Sequence, residues 1–164
     1  MTKKSQYDCD YCSYVVETHG NTVYKICKLY LKSEADVEDV FQQVFLTLIE
    51  KKPSFKDSEH EKAWLIKVAS NKCKDFLKNY WNKNTISIEN VDSPIEENSS
   101  NEVITAVAAL DNNYKLVIFM YYYQGYSTSE ISEILKVKEA TIRTRLKRAR
   151  EKLKEKLEVD YFYE

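Results

Sequence analysis

Apolar residues recur at helical spacing through most of this chain. Between positions 37 and 48, Val37, Val40, Phe41, Val44, Phe45 and Leu48 fall at i, i+3, i+4, i+7, i+8 and i+11, one face of an α-helix. The other face carries Glu38, Asp39, Gln42 and Gln43. Ser33-Glu34-Ala35-Asp36 resembles a capping box at the start, with Asp36 where glutamate is more usual, and Lys51-Lys52-Pro53 ends the helix near residue 50. A helix over about 10–31 precedes it, with Gly20 a point of interruption. A second box, Ser58-Glu59-His60-Glu61, predicts a helix to about 81 with a buried stripe of Leu65, Ala69, Cys73, Phe76 and Tyr80.

The later part reads the same way. A short helix over about 102–109 is followed by Asp111, a good N-cap for a helix to about 124, with Gly125 just past its end. A third box, Ser127-Thr128-Ser129-Glu130, starts a short helix with Ile131, Ile134 and Leu135 facing inward. A brief turn, Leu135-Lys136-Val137, leads to a long helix from about 138 with an inner stripe of Ile142, Leu146, Ala149 and Leu153. Between the two sets of helices, residues 84–101 (NTISIENVDSPIEENSSN) are polar, acidic and without helical periodicity. The expected architecture is all-α: two small helical domains, 1–83 and 102–164, joined by a flexible linker, 84–101, with a maximum reach of roughly 60 Å.

Composition narrows the field further. The chain has 164 residues but only two glycines, Gly20 and Gly125, and two prolines, Pro53 and Pro94. Neither a dinucleotide fingerprint nor a phosphate-cradling loop can be written with them. The longest apolar run, 116–123, is eight residues, against the roughly 20 needed to span a bilayer. The amino-terminal residues lead into no apolar segment, so a cytoplasmic protein with reduced cysteines is expected. Cys9 and Cys12, with His19 as a third ligand, would suit a metal, but a single closely spaced cysteine pair is a weak zinc signal. With His19 and His60 the only histidines, no nucleophile–base set can be drawn. The expectation is a protein that is not an enzyme, with no cofactor and no metal.

Charge gives the positive clue. The formal net charge is −1, yet residues 136–156 hold ten bases against three acids, and all four arginines (Arg143, Arg145, Arg148 and Arg150) lie there. Arginine's planar fork matches phosphates and guanine edges in a way lysine does not. Two helices joined by a short turn, the second one basic, form the helix-turn-helix arrangement. The amino end of the second helix (Glu139, Ala140, Thr141, Arg143, Thr144) would meet base edges, and the arginines beyond would hold phosphates. In the first domain, Lys67, Asn71, Lys74 and Lys78 line up at i, i+4, i+7 and i+11, either as a track for a phosphate backbone or as an ordinary solvated face. Aromatics gather around the same helix: Phe55, Trp64, Phe76, Tyr80 and Trp81.

These motifs together resemble a bacterial RNA polymerase sigma factor of the extracytoplasmic-function (ECF) group of the sigma-70 family, from about Tyr14 to Leu157. DVEDVFQQVF (36–45) resembles the family's region 2 helix that docks on core RNA polymerase. AWLIKVASN (63–71), followed by Asp75, resembles the segment that reads and melts the minus-ten element. Residues 127–153, ending RLKRAREKL, resemble the region 4 motif that reads the minus-thirty-five element.

The resemblance implies a transcription initiation factor with three partners: core RNA polymerase, promoter DNA and an anti-sigma factor. It assigns polymerase binding to Glu38, Asp39, Gln42 and Gln43. Minus-ten contacts fall to Trp64, Lys67, Asn71, Lys74 and Lys78. Minus-thirty-five contacts fall to Glu139, Thr141, Arg143, Thr144, Arg145, Lys147 and Arg148. The chain departs from the family pattern at Lys136, where glycine is usual, at Lys138, where Ser or Thr would cap, and at Leu110-Asp111, where Leu-Pro is common. A stand-alone helix-turn-helix regulator is the alternative reading.

Overall fold

The computed structural model describes residues 9–83 and 102–161. These form seven α-helices and one π-helical turn, with no strand among them. None of these helices is long and apolar enough to cross a membrane. The chain divides into two compact units, Met1–Ser93 and Pro94–Glu164.

In the first unit, α1 (Cys9–Tyr30), α2 (Glu34–Lys51) and α3 (Ser58–Lys83) each pack on the other two. α1 runs unbroken through Gly20, so the interruption expected there does not occur. Val15, Val23, Ile26, Val37, Val40, Val44, Leu48, Leu65, Ile66 and Ala69 are buried. Ser33 caps α2 as expected, accepting the Asp36 N–H at 3.4 Å. Lys52 ends it in the left-handed region (φ 47°), its N–H bound to the Leu48 carbonyl at 3.0 Å.

The start of α3 differs from the expected capping box. Asp57 is the cap: its carboxylate accepts the His60 N–H at 2.8 Å and its carbonyl the Glu61 N–H at 3.2 Å. Glu61 is drawn inward, where His19 Nε2 lies 3.1 Å from Oε1 and the Tyr11 hydroxyl donates to Oε2. Ser58 Oγ lies 3.5 Å from the same His19 nitrogen. Near the other end of α1, the Cys27 thiol is pulled below its usual pKa by a hydrogen bond with Cys73, against the upward push of burial. All four cysteines are free. Since α1 ends at Tyr30 beside Cys73, the last turns of α3 outrun their partner. Phe76 is consequently only half-buried and Tyr80 is 48% exposed, contrary to the stripe expected from spacing.

The second unit contains α4 (Glu102–Ala108), α5 (Asn112–Ile118), the π-helical turn Phe119–Tyr123, α6 (Thr128–Leu135) and α7 (Glu139–Tyr161). Asp111 holds the N-cap position of α5 through its backbone carbonyl, which accepts from Tyr114 and Lys115; its side chain makes no capping bond. The helix expected to reach 124 instead widens after Ile118, and Tyr126 N–H closes on the Met120 carbonyl at 3.0 Å. Gly125 supplies the positive φ (74°) that turns the chain. The Ser127–Glu130 capping box forms on both sides: the Glu130 N–H donates to Ser127 Oγ, and the Ser127 N–H to Glu130 Oε1, each at 3.1 Å. Ile131, Ile142, Leu146 and Ala149 are buried, while Ile134, Leu135 and Leu153 are half-buried.

The turn between α6 and α7 places Lys136 at φ 55°. A side chain in this region costs on the order of 1 kcal/mol relative to glycine, partly offset by glycine's looser unfolded chain. Lys136→Gly is therefore expected to raise stability by up to about 1 kcal/mol, read as a higher midpoint in thermal circular dichroism. A lowered midpoint would contradict the strain.

Candidate nucleic-acid interface

α6 and α7 are locked together at their amino ends. The Thr128 hydroxyl donates to Glu139 Oε1 at 2.9 Å, and Arg143 Nη2 lies 3.1 Å from the same oxygen. The Ser132 hydroxyl donates to the Val137 carbonyl at 2.5 Å across the turn. Arg143 first, then Thr128, hold the Glu139 carboxyl below its usual pKa. Because the folded value is depressed, this pairing is intact at neutral pH and is lost only as pH falls through the lowered value.

With Ile142, Leu146 and Ala149 turned inward, the opposite side of α7 faces solvent. Arg143, Thr144, Lys147 and Arg148 are exposed, and Glu139, Thr141 and Arg145 half-buried. Thr144 spends its proton on the Ala140 carbonyl at 2.9 Å, which leaves its oxygen as an acceptor only. Among the described residues, Arg145, Lys147 and Arg148 form no ion pair. Two cations that spacing alone sets on the outer surface are engaged within the unit. Arg150 donates to Tyr122, and Lys152 lies 3.6 Å from Asp111 and 5.0 Å from the Tyr114 ring centroid.

On α3, Asn71 and Lys78 are exposed, with Lys67 and Lys74 half-buried on the same line. Trp64 lies at the head of this line. Its ring meets Phe55 edge-on at 5.7 Å, and Phe55 meets His60 edge-on at 5.4 Å. The Lys56 N–H donates to His60 Nδ1 at 3.2 Å, which ties the α2–α3 loop to the first turn of α3. His60 thus joins Phe55 and Trp64, already expected among the aromatics of this helix, in one aromatic group. His60 also stands exposed here, whereas His19 faces Glu61 in the interior rather than Cys9 and Cys12. Among the described residues no three metal-ligating side chains gather.

On α2, Glu38, Asp39, Gln42 and Gln43 are all exposed. Leu46 (54% exposed) and Ile49 (37%) continue the same arc of the helix over the next two turns. Their signal in the sequence is plain afterwards: they are the apolar residues of α2 that fall off the core stripe. The exposed side of α2 thus carries polar residues in its first turns and two apolar residues beyond them.

Comparison with known proteins matches both units. The family model for sigma-70 region 2 covers residues 15–83, and that for sigma-70 region 4 covers residues 100–153, together most of the chain. The chain is 29% identical to the ECF RNA polymerase sigma factor SigM of Bacillus subtilis (strain 168), over 85% of this chain and 91% of that protein. It is 24% identical to the ECF RNA polymerase sigma factor SigW of the same organism, over 92% and 90%. In fold it is similar to the sigma factor RpoE from Bartonella quintana, solved with the anti-sigma factor NepR (TM-score 0.72, 21% identity, 90% of this chain and 97% of that one). It is also similar in fold to CnrH, solved with the cytosolic domain of CnrY (TM-score 0.67, 21% identity, 93% and 91%). With a region 2 helical unit followed by a region 4 helix-turn-helix unit, the chain belongs to the sigma-70 family, in its extracytoplasmic-function group.

Proposed function

We propose that this sigma factor binds core RNA polymerase and directs it to particular promoters, acting by binding rather than by catalysis. In this reading residues 1–83 dock on the polymerase and open the minus-ten element, residues 84–101 link, and residues 102–164 read the minus-thirty-five element. The observation that carries it is α7: Lys147 and Arg148 stand exposed and, among the described residues, without an ion pair, on a helix fixed by the α6 capping box and the Thr128–Glu139–Arg143 bonds.

Polymerase docking falls to the α2 face of Glu38, Asp39, Gln42 and Gln43, now extended by Leu46 and Ile49. Minus-ten contacts fall to Trp64, Lys67, Asn71, Lys74 and Lys78. Lysines there act as point charges on phosphates, while the aromatic group of Phe55, His60 and Trp64 offers a surface on which an unstacked base can rest. Extracting that base costs a few kcal/mol, offset by stacking and pocket contacts. Minus-thirty-five contacts fall to Glu139, Thr141, Arg143, Thr144, Arg145, Lys147 and Arg148. Its place of work is the cytoplasm, with the polymerase. An anti-sigma factor is the expected regulator, since the RpoE of similar fold was solved bound to one.

The test is at α2. Asp39 is exposed, outside the core, so Asp39→Ala should leave the fold intact and weaken affinity for core polymerase by about threefold to tenfold, the range of a lost polar contact. Unaltered affinity would remove the docking assignment.

A further inference from the structure

Arg150 differs from the other arginines of α7. Its Nε–H donates to the Tyr122 hydroxyl at 2.7 Å, and its Cζ lies 5.8 Å from the ring centroids of both Tyr121 and Tyr122. Those rings meet edge-on at 4.9 Å. Both belong to the π-helical turn, whose extra residue per turn brings consecutive side chains closer in azimuth than a regular helix does. Neither partner is buried by this: Arg150 is exposed and Tyr122 is 55% exposed. Among the described residues no carboxylate pairs with Arg150.

A guanidinium carries five N–H donors, and the tyrosine takes only the one on Nε. The two Nη groups, the fork that suits a phosphate, keep their donors. The side chain is thus held in one orientation with its cationic end unspent, the condition that lowers the entropic cost of binding an anion. Along α7, Arg150 follows Arg143 by two turns and Lys147 by one, so it continues their row toward the carboxyl end.

We propose that Tyr121 and Tyr122 build a phosphodiester-binding site around Arg150, with Tyr122 as the positioning residue that aims the guanidinium at a backbone phosphate of duplex DNA lying along α7. The proposal rests on the reading of α7 as the DNA-binding helix. It adds to that reading a contact from outside the helix-turn-helix, made by a residue of the turn after α5.

Phosphate contacts carry no base sequence, so the probe is a fluorescent mixed-sequence DNA duplex, titrated with the full chain at several salt concentrations. Arg150→Ala should weaken binding and lower the salt slope by about one phosphate. Tyr122→Phe removes one oxygen atom at an exposed site; it should weaken binding by about threefold to tenfold, and should have no effect in an Arg150→Ala background. Arg143→Ala is the control for the helix itself. If Arg143→Ala weakens binding while Tyr122→Phe does not, Arg150 only staples the turn to α7 and the proposal fails alone. A Tyr122→Phe effect that persists without Arg150 also overturns it. If neither arginine variant changes binding, the DNA-binding reading of α7 fails and takes the proposal with it.

Discussion

Glu61→Ala is expected to destabilise the first unit by about 1–3 kcal/mol, the range for leaving buried polar groups without their hydrogen-bond partner. Glu61 and His19 are 6% and 4% exposed, and Tyr11 donates to the same carboxylate. Truncation leaves the imidazole and the phenol without the acceptor they share and opens a void at the junction of α1 and α3. Domains of this size hold only about 5–15 kcal/mol, so the loss is a large part of the total. Glu61→Gln, which keeps the shape and one acceptor oxygen, should lose much less. The readout is well placed, because both tryptophans, Trp64 and Trp81, lie on α3. Urea unfolding followed by tryptophan fluorescence therefore reports the first unit while the second stays silent. A shift in unfolding free energy below about 1 kcal/mol, typical of a surface substitution, would show that the buried network contributes little.

The second large effect is expected at the amino half of α7. Arg143→Ala and Arg145→Ala should each weaken recognition of the upstream promoter element by roughly 1–3 kcal/mol where a bidentate base contact is lost, and should relax sequence preference at that position. Arg143 carries a second consequence. It lies 3.1 Å from Glu139, and its removal leaves that carboxylate unneutralised at the end of α7 proposed to meet DNA. Arg143→Ala should therefore be the more harmful of the two in low salt, where charge repulsion is least screened. Lys147→Ala should act differently, weakening all sequences alike and lowering the salt dependence by about one phosphate. Unchanged upstream footprints in the Arg143 and Arg145 variants would contradict the assignment of α7.

Much of this architecture is legible in the sequence because it rests on local rules. The stripe from Val37 to Leu48, the capping box at Ser127 and the inner row of Ile142, Leu146 and Ala149 each depend on residues a few positions apart. What escaped depends on distance along the chain or on competition. His19 and Glu61 are 42 positions apart, and local spacing reads the first beside Cys9 and Cys12 and the second as a capping-box partner of Ser58 until α1 is laid on α3. Asp57 outcompetes Ser58 as the cap of α3, because Glu61 is satisfied from the interior and cannot close a capping box. Tyr80 keeps perfect helical spacing with Cys73 and Phe76, but α1 stops short of it. The π-helical turn shifts the register by one residue within a run of aromatics, where periodicity has little contrast, so the pairing of Tyr122 with Arg150 could not be foreseen. At the candidate interfaces, spacing found the charged rows of α2, α3 and α7. It missed the members that packing recruits: Leu46 and Ile49 on α2, and His60 beside Phe55 and Trp64.

As proposed, this chain works as the specificity subunit of RNA polymerase. The most direct measurement is the affinity of the purified chain for bacterial core RNA polymerase, in equilibrium titration with the Asp39→Ala variant alongside. Tight one-to-one association, weakened by that substitution, is the predicted result. No association with the polymerase, together with salt-sensitive binding to duplex DNA by the chain alone, would contradict it and point to a stand-alone helix-turn-helix regulator.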